Sequence, residues 1–137
     1  MAIDIRNPSA DLLAFLQEYG FSTLTTVRSN GGLHSVVVRA TYDTQTREVR
    51  IITRKGSQKV VNITSSLEPA RVTVCQTVGP KWVSFEGTAE VVTDGEAVDD
   101  AVARYGARFG RTPAPDPERV LIKVAVDRAI GLLALPQ

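Results

Sequence analysis

Disulfides are the first thing this sequence cannot make: it holds one cysteine, Cys75, in 137 residues, and an internal bridge needs two. Histidine is equally scarce. His34 stands alone, which excludes a His-rich metal site and leaves a single imidazole for any nucleophile–base pair. No HExxH, CxxC or GxSxG pattern occurs, so the signatures of zinc peptidases, dithiol redox proteins and serine hydrolases are missing. An enzyme this poor in reactive side chains is expected to take its chemistry from a cofactor, and no catalytic side chain is assigned.

An excess of charge is also lacking. Sixteen Lys and Arg against fifteen Asp and Glu leave a net charge of +1, so the bulk field that draws nucleic acid or an anionic membrane is absent and neither partner is expected. Apolar runs are short. The stretch from Ala129 to Leu135 is broken by Gly131, far below the ~20 residues that span a bilayer. Residues 1–7 carry Asp4 and Arg6 without an apolar core, so no secretory signal is expected and a cytoplasmic location is. With 43% hydrophobic and 23% charged residues, the chain reads as one globular domain over residues 1–137.

What is present is mostly β-patterned. Leu12, Leu13, Phe15, Leu16 and Tyr19 recur at helical spacing after a capping Asn7 or Ser9 and an early Pro8, with Gly20 as the stop; this predicts a short amphipathic helix. Phe21–Arg28, an Asn30-Gly31 turn, His34–Tyr42, a turn at 43–46 and Glu48–Thr53 predict an antiparallel meander of three strands. A short helix is expected within Ser57–Leu67, stopped by Pro69. Arg71–Thr77 and Lys81–Thr93, the latter one long strand or one bent at Gly87, predict a further hairpin, followed by a helix from Asp94 to about Phe109 that Gly110 ends. Three prolines within residues 111–117 then force an extended connector before a last strand over Arg119–Ile130. Six or so antiparallel strands with three short helices must roll up to hide their edges, so the fold class is mainly β, a small β-barrel with peripheral helices.

Two basic features could bind an anion. In Thr53–Asn62, Arg54, Lys55 and Lys59 supply three positive charges with no acid before Glu68. Gly56 allows a tight turn there, and Ser57 is expected to cap the helix that follows, a setting suited to phosphate. A plain solvated basic turn is the alternative. In the second feature, Arg104, Arg108 and Arg111 fall at i, i+4 and i+7 and could clamp an anionic ligand, or simply complement a helix C-terminus. Trp82 reads as a lid over a planar ligand or as core, His34 as a surface or structural histidine, and Cys75 as a buried, unreactive thiol.

The order of these motifs resembles the flavin and deazaflavin oxidoreductases built on the split β-barrel of pyridoxamine phosphate oxidase. It is most similar to the actinobacterial branch that uses coenzyme F420 and includes a biliverdin reductase. The carriers are Ala14-Phe15-Leu16 with Thr23–Thr26, the segment Ile52–Asn62, Trp82–Gly87, and Arg104-Tyr105 with residues 111–120. The resemblance implies a homodimer with two sites at the subunit interface, each taking a deazaflavin, with FMN as the alternative cofactor. It implies that Arg54, Lys55, Ser57 and Lys59 hold phosphate, that Asn62 supports their loop, and that the strand through Val38 runs along the ring by its backbone. Gln76 and Trp82 are then expected to reach the ring from the partner subunit. The implied reaction is hydride transfer to a conjugated planar acceptor such as a tetrapyrrole or quinone, with Arg104, Arg108 or Arg111 pairing the propionates of biliverdin. A noncatalytic carrier of deazaflavin, flavin or haem, and an FMN-dependent enzyme of the same fold, are the rival expectations.

Overall fold

The computed structural model describes residues 1–18 and 20–134. After a two-residue strand β1 (Ala2–Ile3), Ser9 opens helix α1 (Ala10–Gln17) by accepting the Leu12 N–H on its Oγ at 3.1 Å. The helix buries Leu12, Phe15 and Leu16, each worth about 1.5–3 kcal/mol when fully removed from water. It stops at Gln17, short of the expected end, and Tyr19 lies outside the described residues. Gly20 serves packing instead, because a Cβ there would sit 2.5 Å from the Thr77 carbonyl oxygen.

Strand β2 (Ser22–Val27) turns at Asn30-Gly31 and pairs with β3 (Leu33–Val38). The expected meander then fails. The run from His34 to Tyr42 is not one strand: it breaks at Arg39 and Ala40, and β4 (Thr41–Asp43) pairs with β5 (Glu48–Arg54), not with β2 or β3. The remaining strands are β6 (Ala70–Val78), β7 (Lys81–Val92) and β8 (Arg119–Leu132). The ladder runs β3-β2-β6-β7-β8-β5-β4, with β1 added on β8. Every pairing is antiparallel. The two ends of this ladder, β3 and β4, are thus joined through Arg39 and Ala40 by the chain itself and not by strand hydrogen bonds. The sheet rolls into a barrel with a split beside β3, as the mainly β, split-barrel expectation requires.

Alternate residues of the strands fill the interior, with Leu24, Ile51, Val74, Val83, Phe85, Ile122 and Val124 each at most 2% exposed. Helix α2 (Gln58–Thr64) packs on β2 and β7, and α3 (Gly95–Phe109) packs on β5 and β8 around Val98, Ala101 and Leu121. Gly110, with φ 76°, terminates α3. The proline segment follows without regular structure and is latched to the end of β5, where the Lys55 N–H donates to the Glu118 carbonyl at 2.9 Å.

Candidate functional site

The split between β3 and β5 opens as a cleft of about 330 Å³ whose walls include Val38 and Arg39, Thr53 and Arg54, Lys59 of α2 and Arg119 of β8. Among its lining residues four cations, Arg39, Arg54, Lys59 and Arg119, face a single carboxylate, Asp116. Arg54 and Arg119 are direct cross-strand partners, and like charges in that register repel. Asp116 relieves part of this at 3.1 Å from Arg54 Nε, while Arg119 Nη2 donates to the Ala114 carbonyl at 2.8 Å. Lys59 is half-buried and has no carboxylate within ion-pair distance among the described residues. Burial pushes its ammonium pKa below the ordinary lysine value. A cation kept partly out of water without a counterion is what an incoming anion would neutralise.

The basic segment is therefore reshaped by the fold. Its sequence shows no nearby acid, yet the proline segment brings Asp116 to Arg54 and Glu118 to Lys55 Nζ at 3.3 Å. Lys55 is largely exposed and lies outside the cleft lining. Ser57 occupies the N-cap position of α2, but its hydroxyl bonds no helix N–H and rests 3.5 Å from Thr53 Oγ1. Asn62, 4% exposed, takes Gln58 Nε2 on its Oδ1 at 2.6 Å and donates from Nδ2 to Thr26 Oγ1 at 2.9 Å. It pins α2 to β2 and so fixes where Lys59 stands. Asn62→Ala is expected to lower stability by about 1–3 kcal/mol in urea unfolding, because it strands Thr26 and Gln58 together.

A second chamber, about 440 Å³, lies across the Arg39–Ala40 crossing between α1, β4 and α3, and is lined by Gln76, Arg104 and Arg108 among others. The three arginines do not form one face: Arg111 lies past the left-handed Gly110, is exposed, and lines neither cavity. Arg104 is already neutralised by Asp43 at 3.2 Å and Asp100 at 2.8 Å. Arg108 instead donates to the Glu18 carbonyl, and burial pushes its pKa down.

Gln76 and Trp82 occupy opposite faces of the sheet. Gln76 pairs with Val83 on the interior face and is 7% exposed, whereas Trp82 pairs with Thr77 on the outer face. Cys75, half-buried, shares that outer face, and burial raises its thiol pKa. His34 is half-buried inside β3 and its Nδ1 has no hydrogen-bond partner among the described residues.

Sequence reasoning missed Arg39 and Arg119. Arg39 carried a usable signal, a charge directly after the apolar run Val36–Val38. Arg119 carried none, since only the β5–β8 register sets it opposite Arg54.

Comparison with known proteins fits this geometry. The family model for pyridoxamine 5'-phosphate oxidase matches residues 9–132. The chain belongs to that family. Among curated members of known function, an F420H(2)-dependent biliverdin reductase of Mycobacterium tuberculosis is 44% identical over 123 residues, covering 90% of this chain and 87% of that protein. Among solved structures, a conserved hypothetical protein of M. tuberculosis superposes with a TM-score of 0.76 at 25% identity, covering 96% of this chain and 90% of its own. A protein described as an F420 reductase gives 0.65 at 22% identity, covering 85% and 94%. The latter likeness speaks to the fold, which the family shares from the first helix through the last strand.

Proposed function

We propose that this protein is an F420-dependent oxidoreductase that holds the anionic tail of the deazaflavin in the split beside β3 and reduces a conjugated planar acceptor, with biliverdin the first to test. The observation that carries this reading is the half-buried Lys59, uncompensated beside the Arg54–Arg119 pair. A relative 44% identical to this chain supports it, being an F420H(2)-dependent biliverdin reductase by description.

The residues fit such a cofactor. Lys59, Arg54 and Arg119 would meet a phosphate, and β3, an end strand of the ladder, offers a backbone edge without a ladder partner among the described residues, against which a ring would lie. When bound, the reduced deazaflavin supplies the hydride. The protein's part is to fix the tail, orient the ring along the strand through Val38 and keep water from the reacting faces. No protein nucleophile is needed, which accounts for a chain with one cysteine and one histidine.

A homodimer belongs to the same proposal. The outer face of the sheet carries an uncharged row, Val37, Thr23, Cys75 and Ser84 in register, with Val37 68% and Leu33 72% exposed. An uncharged face with exposed valine and leucine side chains suits a second copy of the chain, and Trp82 on that face would meet the partner. Val37→Asp is expected to shift the protein toward monomer in sedimentation; an unaltered dimer would place the interface elsewhere.

Mixing the protein with reduced F420 and a panel of acceptors, and following cofactor oxidation optically, tests the activity. Acceptor-dependent oxidation is expected, with biliverdin among the substrates. Tight binding without turnover would favour a carrier, and a flavin spectrum in the purified protein would favour FMN. Because Lys59 has a depressed pKa and grips the anion only while protonated, cofactor affinity is expected to hold at neutral pH and fall as pH rises through that lowered value. Lys59→Arg, which stays charged, should remove this fall in a pH series of binding titrations.

A further inference from the structure

The chamber across the crossing holds groups that the tail-binding role leaves unused. Leu13 and Leu16 of α1 with Ala40 and Ala107 give it an apolar wall. Two polar residues of the same wall are anomalous. Gln76 is 7% exposed and its Nε2 has no hydrogen-bond partner among the described residues, where the buried Tyr42 hydroxyl is likewise unpaired. Buried donors are rarely left open without a functional reason. The chamber's charge is also unbalanced. Arg104 is spoken for by Asp43 and Asp100, but Arg108 has no carboxylate partner among the described residues, only the Glu18 carbonyl and the Phe109 ring, whose centroid is 4.9 Å from its Cζ. A mostly apolar cavity with a few convergent donors and one unpaired guanidinium suits an organic anion rich in acceptor oxygens.

We propose that this chamber is the acceptor site and selects a carboxylate-bearing, otherwise apolar conjugated molecule, with Arg108 pairing the carboxylate and Gln76 Nε2 donating to a carbonyl of its conjugated body. The assignment rests on the oxidoreductase reading for the word acceptor, but the binding chemistry stands on the chamber alone. It narrows the three candidate arginines to one. Arg104 is a structural ion-pair residue and Arg111 lies outside.

Titration of the full chain with biliverdin and with biliverdin dimethyl ester, whose carboxylates are masked, tests this apart from any turnover. The diacid is expected to bind about tenfold tighter than the ester. Arg108→Met should erase that preference. Gln76→Leu should weaken both ligands about tenfold while raising the melting temperature, since it removes a buried unpaired donor. Arg108→Met should keep wild-type affinity for F420. Equal affinity for diacid and ester in the wild type, or a Gln76→Leu protein that melts higher with ligand binding intact, would overturn the assignment. If biliverdin binds as described and F420 does not, the oxidoreductase reading falls and the chamber stands; F420 binding with no diacid preference does the reverse.

Discussion

Replacing Lys59 and Arg54 together by Ala is expected to weaken F420 binding by about 2–4 kcal/mol, two charge-assisted contacts of ~1.5–3 kcal/mol each with the exposed Arg54 discounted. Most of that loss should come from Lys59. It is half-buried and unpaired, whereas Arg54 is 70% exposed and already shares Asp116. Lys55→Ala is the informative control, because that ammonium points to Glu118 outside the cleft and should leave affinity within about twofold. Isothermal titration with oxidised F420 reads both variants against the wild type. Removing Lys59 takes a desolvated cation out of the free protein, so the thermal stability of the double variant should not fall in step with its affinity, which separates a lost contact from a lost fold.

Gly87→Ala is expected to destabilise the protein by about 3 kcal/mol, read as a shift of the urea midpoint at constant slope. The register of β7 against β8 slips between Glu86 and Gly87, and at this bulge a Cβ on Gly87 would stand 2.2 Å from the Ala125 carbonyl oxygen. Backbone, not a movable side chain, is what it meets. Gly95→Ala at the start of α3 provides the contrast, since nothing lies within 4 Å of its added Cβ; there the change should be neutral or slightly stabilising. A Gly87→Ala midpoint equal to wild type would mean that β7 and β8 are not packed this closely.

The bend at Gly87 was one of two readings that the alternation from Lys81 to Thr93 allowed, and Ser9 one of two candidate caps. The three helices, the Gly110 stop and the long last strand were legible outright. The meander was not. Alternation continues from His34 through Tyr42 whether or not the strand changes partners, and nothing local tells Thr41 that it pairs with Arg50 while Val38 pairs with Ser22. This one crossing makes the split, so the sequence pattern could suggest a barrel without showing where it opens. The anion site was half legible for the same reason. Lys59 and Arg54 announce themselves in one basic segment, but Asp116, the counterion of Arg54, arrives from beyond α3 in the proline segment, and the further cation Arg119 arrives with β8. Arg111 shows the converse, a residue in helical phase by count that a single left-handed glycine removes from the helix.

On the proposed reading the cleft beside β3 grips the phosphate of the cofactor, and this is read out by binding of oxidised F420 measured beside the same deazaflavin ring lacking its phosphate and tail. The shortened compound is expected to bind about a hundredfold more weakly to the wild type, and Lys59→Ala to close most of that gap. Equal affinity for the two compounds, or an undiminished gap in Lys59→Ala, would contradict it.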